Sequence, residues 1–160
     1  MKTYYNSPIG RLVITGSRNK IVSIAVEETS TDFAGQIPAY MQLCVNELDA
    51  YFNDGLEQFS VDLNLNQGTL FQQKVWNELL NIPYGRTSTY LKIAEKVSTK
   101  NAVRAVGRCV GNNPFSIIAP CHRVIGTDGS LTGFAHGLEA KRLLLELEKS
   151  KLYGKQYKLF

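Results

Sequence analysis

Apolar residues recur along this chain with two different periods, and the change of period predicts the order of its secondary structure. Near the start, short segments alternate between apolar and polar residues and are separated by Asn, Ser, Pro and Gly, which is typical of an antiparallel meander. From residue 38 onwards most apolar residues return at helical spacing. The pattern predicts strands over residues 1–5, 11–15, 21–26 and 59–65, and helices over residues 38–52, 71–81, 88–97, 101–110 and 139–149.

Two of the predicted helices are separated by only three residues. Residues 88–97 are followed by a short turn over 98–100, after which Asn101 can cap the next helix. The outer side of that next helix would carry Lys100, Arg104 and Arg108. A helix, a short turn and a second helix with a basic face are typical of the helix-turn-helix motif that binds DNA, although such helix pairs also occur in proteins that bind no nucleic acid.

Composition and length indicate a globular protein in a reducing compartment. At 160 residues the chain can form one ordinary domain or two small ones, and 20% of its residues are charged. No apolar run approaches the roughly 20 residues of a membrane span, and the first residues lack the layout of a signal peptide. The three cysteines, Cys44, Cys109 and Cys121, are an odd number without metal-ligand spacing. We therefore expect a cytoplasmic protein without disulfides and without a membrane partner.

The net charge of +4 conceals two parts of opposite charge. Residues 1–68 contain four basic and eight acidic residues, a net charge of −4, so the remaining residues carry +8. This asymmetry suggests that the second part contacts a polyanion, whereas a solvated basic face without a partner would leave the same pattern. Because the charge changes sign across residues 66–69, which are predicted to be a linker, the sequence predicts two domains, 1–66 and 69–160.

The strongest candidates for chemistry are the adjacent residues Cys121 and His122. The reactive form of cysteine is the thiolate, and at an unperturbed pKa of about 8.5 only a few per cent is ionised at neutral pH. His122 is the nearest group that could lower this pKa or accept the thiol proton. Pro120 and the turns predicted at 113–114 and 126–129 would place Cys121 at the accessible edge of an extended segment. A small buried structural cysteine is the usual alternative.

The sequence Pro-Cys-His-Arg-Val at 120–124 follows an Asn113-Pro114 turn and precedes a glycine-rich loop and a leucine-rich helix. In this it resembles the O6-alkylguanine-DNA alkyltransferase family, from about Leu70 to Glu148, and the amino-terminal part is only loosely similar. The resemblance implies an α+β fold, in which a small antiparallel sheet with a helix, like ribonuclease H, precedes a mainly helical domain with a helix-turn-helix motif. It also implies a DNA repair protein that rotates O6-alkylguanine out of duplex DNA and transfers the alkyl group irreversibly to Cys121.

The resemblance also assigns roles in this single-turnover reaction. His122 would take the Cys121 proton through a water molecule, and Glu148 would orient His122. Tyr90 would protonate the leaving guanine, and Asn113 would brace the turn over the active-site segment. The base would be bound by Tyr90, Cys121, Val124, Phe134 and Ala135. Without the resemblance, the pattern of the last helix would place Glu148 at the surface.

For DNA binding, the resemblance implies a helix that enters the minor groove largely without regard to sequence. Arg104 would insert into the duplex in place of the rotated nucleotide. Further contacts would come from Thr99, Lys100, Arg108 and Thr127. We expect a monomer that needs no cofactor, because the damaged DNA itself donates the alkyl group. We also expect no metal: some family members bind zinc in the amino-terminal part, but both histidines of this chain lie elsewhere.

Two other functions stay open at this point. A DNA-binding module without transfer activity, like the alkyltransferase-like proteins, would replace the nucleophile, and the presence of Cys121 argues against it. A thiol hydrolase would use Cys121 and His122 on a carbonyl group. This second alternative lacks an evident oxyanion hole and leaves the helix pair and the basic surface unexplained.

Overall fold

The chain folds into two compact units, one of which interrupts the other. The computed structural model describes residues 1–28, 32–33, 35–134 and 136–157, the last five of these by their backbone alone. The first unit contains Met1–Asn64 and Pro114–Ser116, and the second contains Leu65–Asn113 and the described residues from Ile117 onwards. The chain therefore returns briefly to the first unit in the middle of the second.

The first unit is built on an antiparallel sheet with strand order β1-β2-β3. Its elements are β1 (Lys2–Ser7), β2 (Gly10–Ser17), β3 (Lys20–Val26) and one helix, α1 (Ala39–Asp54). Arg18 and Asn19 both have positive φ, as the tight hairpin between β2 and β3 requires. The helix ends at Gly55, whose left-handed conformation lets its N–H donate to Ala50 O. The core of the unit contains Leu12, Ile14, Ile21, Ile24, Met41, Cys44, Leu48 and Tyr51, none more than 1% exposed.

The strand predicted over residues 59–65 is wrong. This segment forms only an isolated parallel bridge between Leu63 and Ile21. At the start of the segment, a side chain takes the place of a neighbouring strand. The Glu47 carboxylate accepts from the Ser60 N–H at 2.8 Å and from the Ser60 hydroxyl at 3.0 Å. The alternation of apolar and polar residues in this segment therefore reflects alternating burial of side chains, and not pairing with a neighbouring strand.

The second unit is mainly helical. Its elements are α2 (Leu70–Leu79), β4 (Ser88–Thr89), α3 (Tyr90–Val97), α4 (Val103–Gly111), β5 (Val124–Ile125) and α5 (Leu138–Tyr157). The two short strands pair in parallel, with Ser88 opposite Val124 and Thr89 opposite Ile125. This pairing places the start of α3 beside the segment that follows Cys121.

Helices α2, α3 and α4 share an apolar core. Each contributes buried residues at helical spacing: Val75, Trp76, Leu79, Ile93, Ala94, Val106, Cys109 and Val110. In addition, the Trp76 indole N–H donates to the main-chain oxygen of Cys109 at 2.8 Å, in a buried setting. The packing and this hydrogen bond fix α4 against α2 and leave the opposite side of α4 to solvent.

The helix cap predicted at Asn101 is wrong. Asn101 lies in a 3-10 turn, Lys100–Ala102, and α4 begins after it without a side-chain cap. The preceding helix begins at Tyr90, close to the predicted start, and the Thr89 hydroxyl caps it by accepting from the Lys92 N–H at 3.1 Å. Tyr90 is therefore the first residue of α3.

The predicted α+β class is confirmed. A small antiparallel sheet with a helix forms the first unit, and a mainly helical second unit follows it. Among the helices that the structure describes, none combines the length and the apolar character that crossing a bilayer requires.

Candidate active site

Cys121 opens a short 3-10 turn, Cys121–Arg123, that leads directly into β5. Before it, Pro120 forms an inverse γ-turn with φ −79° and ψ 68°, in which the Cys121 N–H donates to Ala119 O at 2.7 Å. The cysteine is only 6% exposed. The prediction that it lies at the accessible edge of an extended segment is therefore wrong. The segment before it turns instead of extending, because Ile117 has a left-handed φ of 75°.

The next residue, His122, belongs to a fully buried polar cluster. Its Nε2 lies 2.5 Å from Oε2 of Glu148, and neither side chain is exposed. Arg123 binds the same carboxylate through two nitrogens, with Nε 2.8 Å from Oε1 and Nη2 3.1 Å from Oε2. The third guanidinium nitrogen donates to Ile82 O at 2.7 Å, and the Gly85 N–H donates to Glu148 Oε1 at 3.1 Å. The carboxylate is thus held by at least four donors.

These contacts determine the charge of each group. Burial acts to raise the pKa of Glu148, but the hydrogen bonds from His122 and Arg123 and the positive charge beside it outweigh burial and lower the pKa to about 2. For His122, burial lowers the pKa, and Glu148 opposes this only in part. At neutral pH the pair is therefore an ionised carboxylate and a neutral imidazole.

The other ring nitrogen of His122 is free to act as a base. Because an ionised carboxylate can only accept, Nε2 must carry the imidazole proton, and Nδ1 keeps its lone pair. Nδ1 is buried and makes no hydrogen bond to any residue that the structure describes. The cluster thus presents one proton acceptor, on the residue next to the thiol.

Lys141 is a member of the site that the sequence analysis missed. It is fully buried, and its Nζ donates to the main-chain oxygens of Val124 at 2.5 Å and Thr132 at 2.8 Å. Burial lowers the pKa of this lysine, and the nearby Cys121 opposes that shift. The buried lysine is therefore close enough to Cys121 for the two groups to influence each other electrostatically.

The environment of the thiol differs from the one predicted. Burial raises the pKa of Cys121, and the opposing influences are a hydrogen bond from Asn113 and the positive charge of Lys141. Main-chain hydrogen bonds of Cys121 and His122 also lower the pKa of the thiol, so the contribution of His122 comes from its backbone and not from its neutral imidazole. In the resting protein Cys121 is a thiol, and Asn113 and Lys141 are placed to stabilise the thiolate once it forms.

A signal for Lys141 was present in the sequence of the last helix. Lys141, Leu144 and Glu148 lie three and four residues apart, so they share one face of α5. All three are fully buried. Two charged residues thus lie on the buried face of the helix. Without the family resemblance, their charge would assign them to the exposed face.

Tyr90 joins the site from α3. Its hydroxyl donates to Thr132 O at 2.8 Å, the same oxygen that binds Lys141, and the lysine nitrogen lies 5.8 Å from the tyrosine ring centre. Burial raises the pKa of Tyr90, so the phenol keeps its proton at neutral pH. Phe134, further along the same loop, is half-buried and packs edge-on against His136 at 5.3 Å. Ala135 lies outside the described residues.

The residues predicted to bind DNA lie at the surface. Lys100, Arg104 and Arg108 are exposed on the 3-10 turn and on α4, and they lie opposite its buried face. The exposed residues also include Thr99, just before this turn, and Thr127, in the turn after β5. The structure does not bring these residues into the buried cluster, so the basic surface and the Cys121 thiol are separate parts of the second unit.

Family profiles cover nearly the whole chain. Residues 70–150 match the DNA-binding domain of 6-O-methylguanine DNA methyltransferase. Residues 1–65 match the ribonuclease-like domain of the same family.

Individual proteins are similar over comparable lengths. The methylated-DNA–protein-cysteine methyltransferase of Mycobacterium tuberculosis H37Rv is 44% identical over 91% of this chain and 90% of its own length. That of Haemophilus influenzae is 44% identical over 92% of this chain and 85% of its own. A crystal structure of M. tuberculosis OGT in complex with DNA superposes with a TM-score of 0.84 at 43% identity, covering 94% of this chain and 93% of that one.

Proposed function

This chain belongs to the 6-O-methylguanine DNA methyltransferase family, and on that premise we propose that it repairs O6-alkylguanine in duplex DNA by transferring the alkyl group to its own Cys121. The observation that supports this function best is the buried arrangement around the thiol. It combines a neutral imidazole held by an ionised carboxylate with a buried lysine whose charge acts on Cys121. A non-catalytic lesion-binding module would not need this arrangement.

Proton transfer from the thiol comes first. The Nδ1 atom of His122 accepts the Cys121 proton through a water molecule, and Glu148 stabilises the resulting imidazolium through the 2.5 Å contact with Nε2. Meanwhile Asn113 and Lys141 stabilise the thiolate.

The displacement then follows at the alkyl carbon. A sulfur lone pair forms the S–C bond while the electrons of the C–O6 bond pass to guanine. Tyr90 leaves Thr132 O and protonates the departing base. Because a thioether is a poor leaving group, the reaction ends after one turnover. Neither remaining thiol is placed to remove the alkyl group: Cys109 packs into the helical core through α4, and Cys44 lies in the core of the first unit.

Binding to DNA is assigned to α4 and its surroundings. Arg104 fills the space left by the rotated nucleotide, and contacts to phosphate come from Thr99, Lys100, Arg108 and Thr127. Ala105 and Gly107 on the same helix are small enough for a close approach to the minor groove; a Cβ atom at Gly107 would meet no other atom within 4 Å. Such binding depends little on sequence and weakens as salt rises.

Within the base-binding slot, Phe134 stacks on the purine, and main-chain groups of Cys121, Val124 and Ala135 contact its edge. One chain carries every residue of this mechanism, which supports a monomer. All three cysteines are unpaired, which supports a reducing compartment, the cytoplasm.

The function is tested by mass spectrometry of the whole chain after mixing with an oligonucleotide duplex that contains one O6-methylguanine. We expect a gain of one methyl group per protein, located on the peptide with Cys121 and absent from the peptides with Cys44 and Cys109. Uptake should stop at one methyl group even with excess DNA. The same duplex with guanine serves as control. An unchanged mass in a protein that binds the methylated duplex would show a lesion-binding module instead.

Replacing Lys141 with methionine should slow the reaction of Cys121 at neutral pH by about tenfold, since the thiolate loses the buried positive charge that stabilises it. The pKa of Cys121 should rise, so the pH midpoint of its reactivity should move upward. Rates of thiol alkylation measured against pH test this. Lys149→Met, an exposed lysine of the same helix, is the matched control. Equal pH midpoints in the parent and Lys141→Met would remove Lys141 from the mechanism.

A further inference from the structure

Ile117 has a backbone conformation that is rare for a β-branched residue. Its φ is 75°, in the left-handed region where the Cβ atom of such a residue crowds the backbone. The side chain is only 1% exposed. Two other described residues apart from glycines have positive φ, Arg18 and Asn19, and both lie exposed in a hairpin turn that favours this conformation. Within the described part of the chain, Ile117 is therefore the one buried residue other than glycine that has a positive φ.

The backbone on both sides of Ile117 is held by hydrogen bonds. Before it, Pro114 O accepts from the Ile24 N–H at 2.8 Å, and the Ser116 N–H donates to Ile24 O at 3.2 Å. After it, Ala119 O accepts from the Asn113 side chain at 2.8 Å and from the Cys121 N–H at 2.7 Å. Hydrogen bonds thus hold the chain up to Ser116 and again from Ala119, and the left-handed Ile117 lies in the short segment between these anchors.

We propose that Ile117 is a positioning residue for the Cys121 sulfur. Its buried side chain holds the left-handed turn in one conformation, and the turn determines where the Pro120–Cys121 segment places the thiol relative to His122 and Lys141. Only three residues separate Ile117 from Cys121, so a change in φ at Ile117 moves the sulfur directly. Glycine at this position would relieve the crowding of the Cβ atom, but it would also let the turn adopt other conformations.

The proposal rests on the proposed function for one of its two measurements, the rate of methyl uptake from DNA. The other measurement, alkylation of Cys121 by iodoacetamide as a function of pH, needs no DNA. If the parent protein takes up no methyl group, the proposed function fails, and iodoacetamide still tests the role of Ile117.

The test compares Ile117→Gly with Ile118→Gly, each measured under conditions in which the variant is folded. Ile118 is the matched control, because it is also buried, at 8% exposure, and has no positive φ. Ile117→Gly should react with iodoacetamide and methylated DNA at least about tenfold more slowly than Ile118→Gly, since small displacements of a reacting group cost this much or more. The pH midpoint of Cys121 alkylation should also shift in Ile117→Gly, whereas binding of this variant to undamaged duplex DNA should not change. Ile117→Val, which keeps a β-branched anchor, should restore the parent values.

Three results would overturn the proposal. The first is equal reactivity and equal pH midpoints for Ile117→Gly and Ile118→Gly, which would show a general effect of lost packing. The second is a failure of Ile117→Val to restore the pH midpoint. The third applies where a glycine variant does not fold: Ile117→Ala and Ile118→Ala then replace the pair, and equal rates for these two exclude a positioning role.

Discussion

Replacing Cys121 with alanine is expected to abolish methyl uptake completely while duplex binding is retained. The sulfur is the proposed nucleophile, and the proposed roles of the buried acceptor on His122 and of Lys141 both depend on it. The basic surface of α4 is separate from it, so the loss should be chemical and not a loss of affinity. Intact mass after incubation with the methylated duplex, together with a binding titration on the same DNA, measures both properties.

The matched control for this substitution is Cys109→Ala. Cys109 is equally buried but packs into the helical core, and the pKa of its thiol is raised, first of all by burial. This variant should take up one methyl group per protein, as the parent does. Methyl transfer to Cys121→Ala, at any residue, would contradict the assignment of the nucleophile.

The second large effect is expected for Glu148→Gln, which should both destabilise the protein and slow transfer. The substitution leaves the buried Arg123 without its counter-ion, and removing one partner of a buried ion pair costs about 3–5 kcal/mol. The lowering of the Glu148 pKa from 4.5 to about 2 has the same sign, since it shows that the folded protein stabilises the ionised carboxylate. Transfer should also slow by at least about a hundredfold, since proton transfer by a positioned base contributes this much.

Acid unfolding distinguishes the two effects of this substitution. Because the pKa of Glu148 is lower in the folded chain than in the unfolded one, its contribution to stability is present at neutral pH and is lost as the pH falls from about 4.5 to about 2. Glu148→Gln should lack this part of the pH dependence in urea unfolding. Glu139→Gln, an exposed glutamate of α5 paired with Arg142, should behave like the parent. A parent-like acid profile in Glu148→Gln would refute an ionised Glu148.

The sequence was most informative where local patterns determine the structure. Helical spacing located α1 to α4 to within a few residues, and the turn at residues 53–55 correctly ended α1 at Gly55. Cys121 and His122 could be singled out because they are adjacent. The strand predicted over 59–65 failed because Glu47, distant in sequence, binds Ser60 and replaces a strand partner.

Burial within the site was much harder to predict. Whether Lys141 and Glu148 face solvent or the core depends on which side of α5 packs inward, and their charge suggests solvent. Only the family resemblance pointed to Glu148, and the helical spacing of Lys141 with Leu144 was a signal that the charge of the lysine concealed. The accessibility of Cys121 was also misjudged, because the left-handed conformation of Ile117 is not encoded by any local preference of isoleucine.

The hydrogen bond between Trp76 and α4 provides the protein with an internal optical probe. Trp76 is the single tryptophan of the chain, and its indole N–H contacts the main chain of the helix proposed to enter DNA. Fluorescence excited at wavelengths that only tryptophan absorbs therefore comes from one indole ring in one buried environment. A movement of α4 that lengthens this hydrogen bond should change the emission maximum and the intensity of the tryptophan fluorescence. Binding to DNA can therefore be followed without an attached dye.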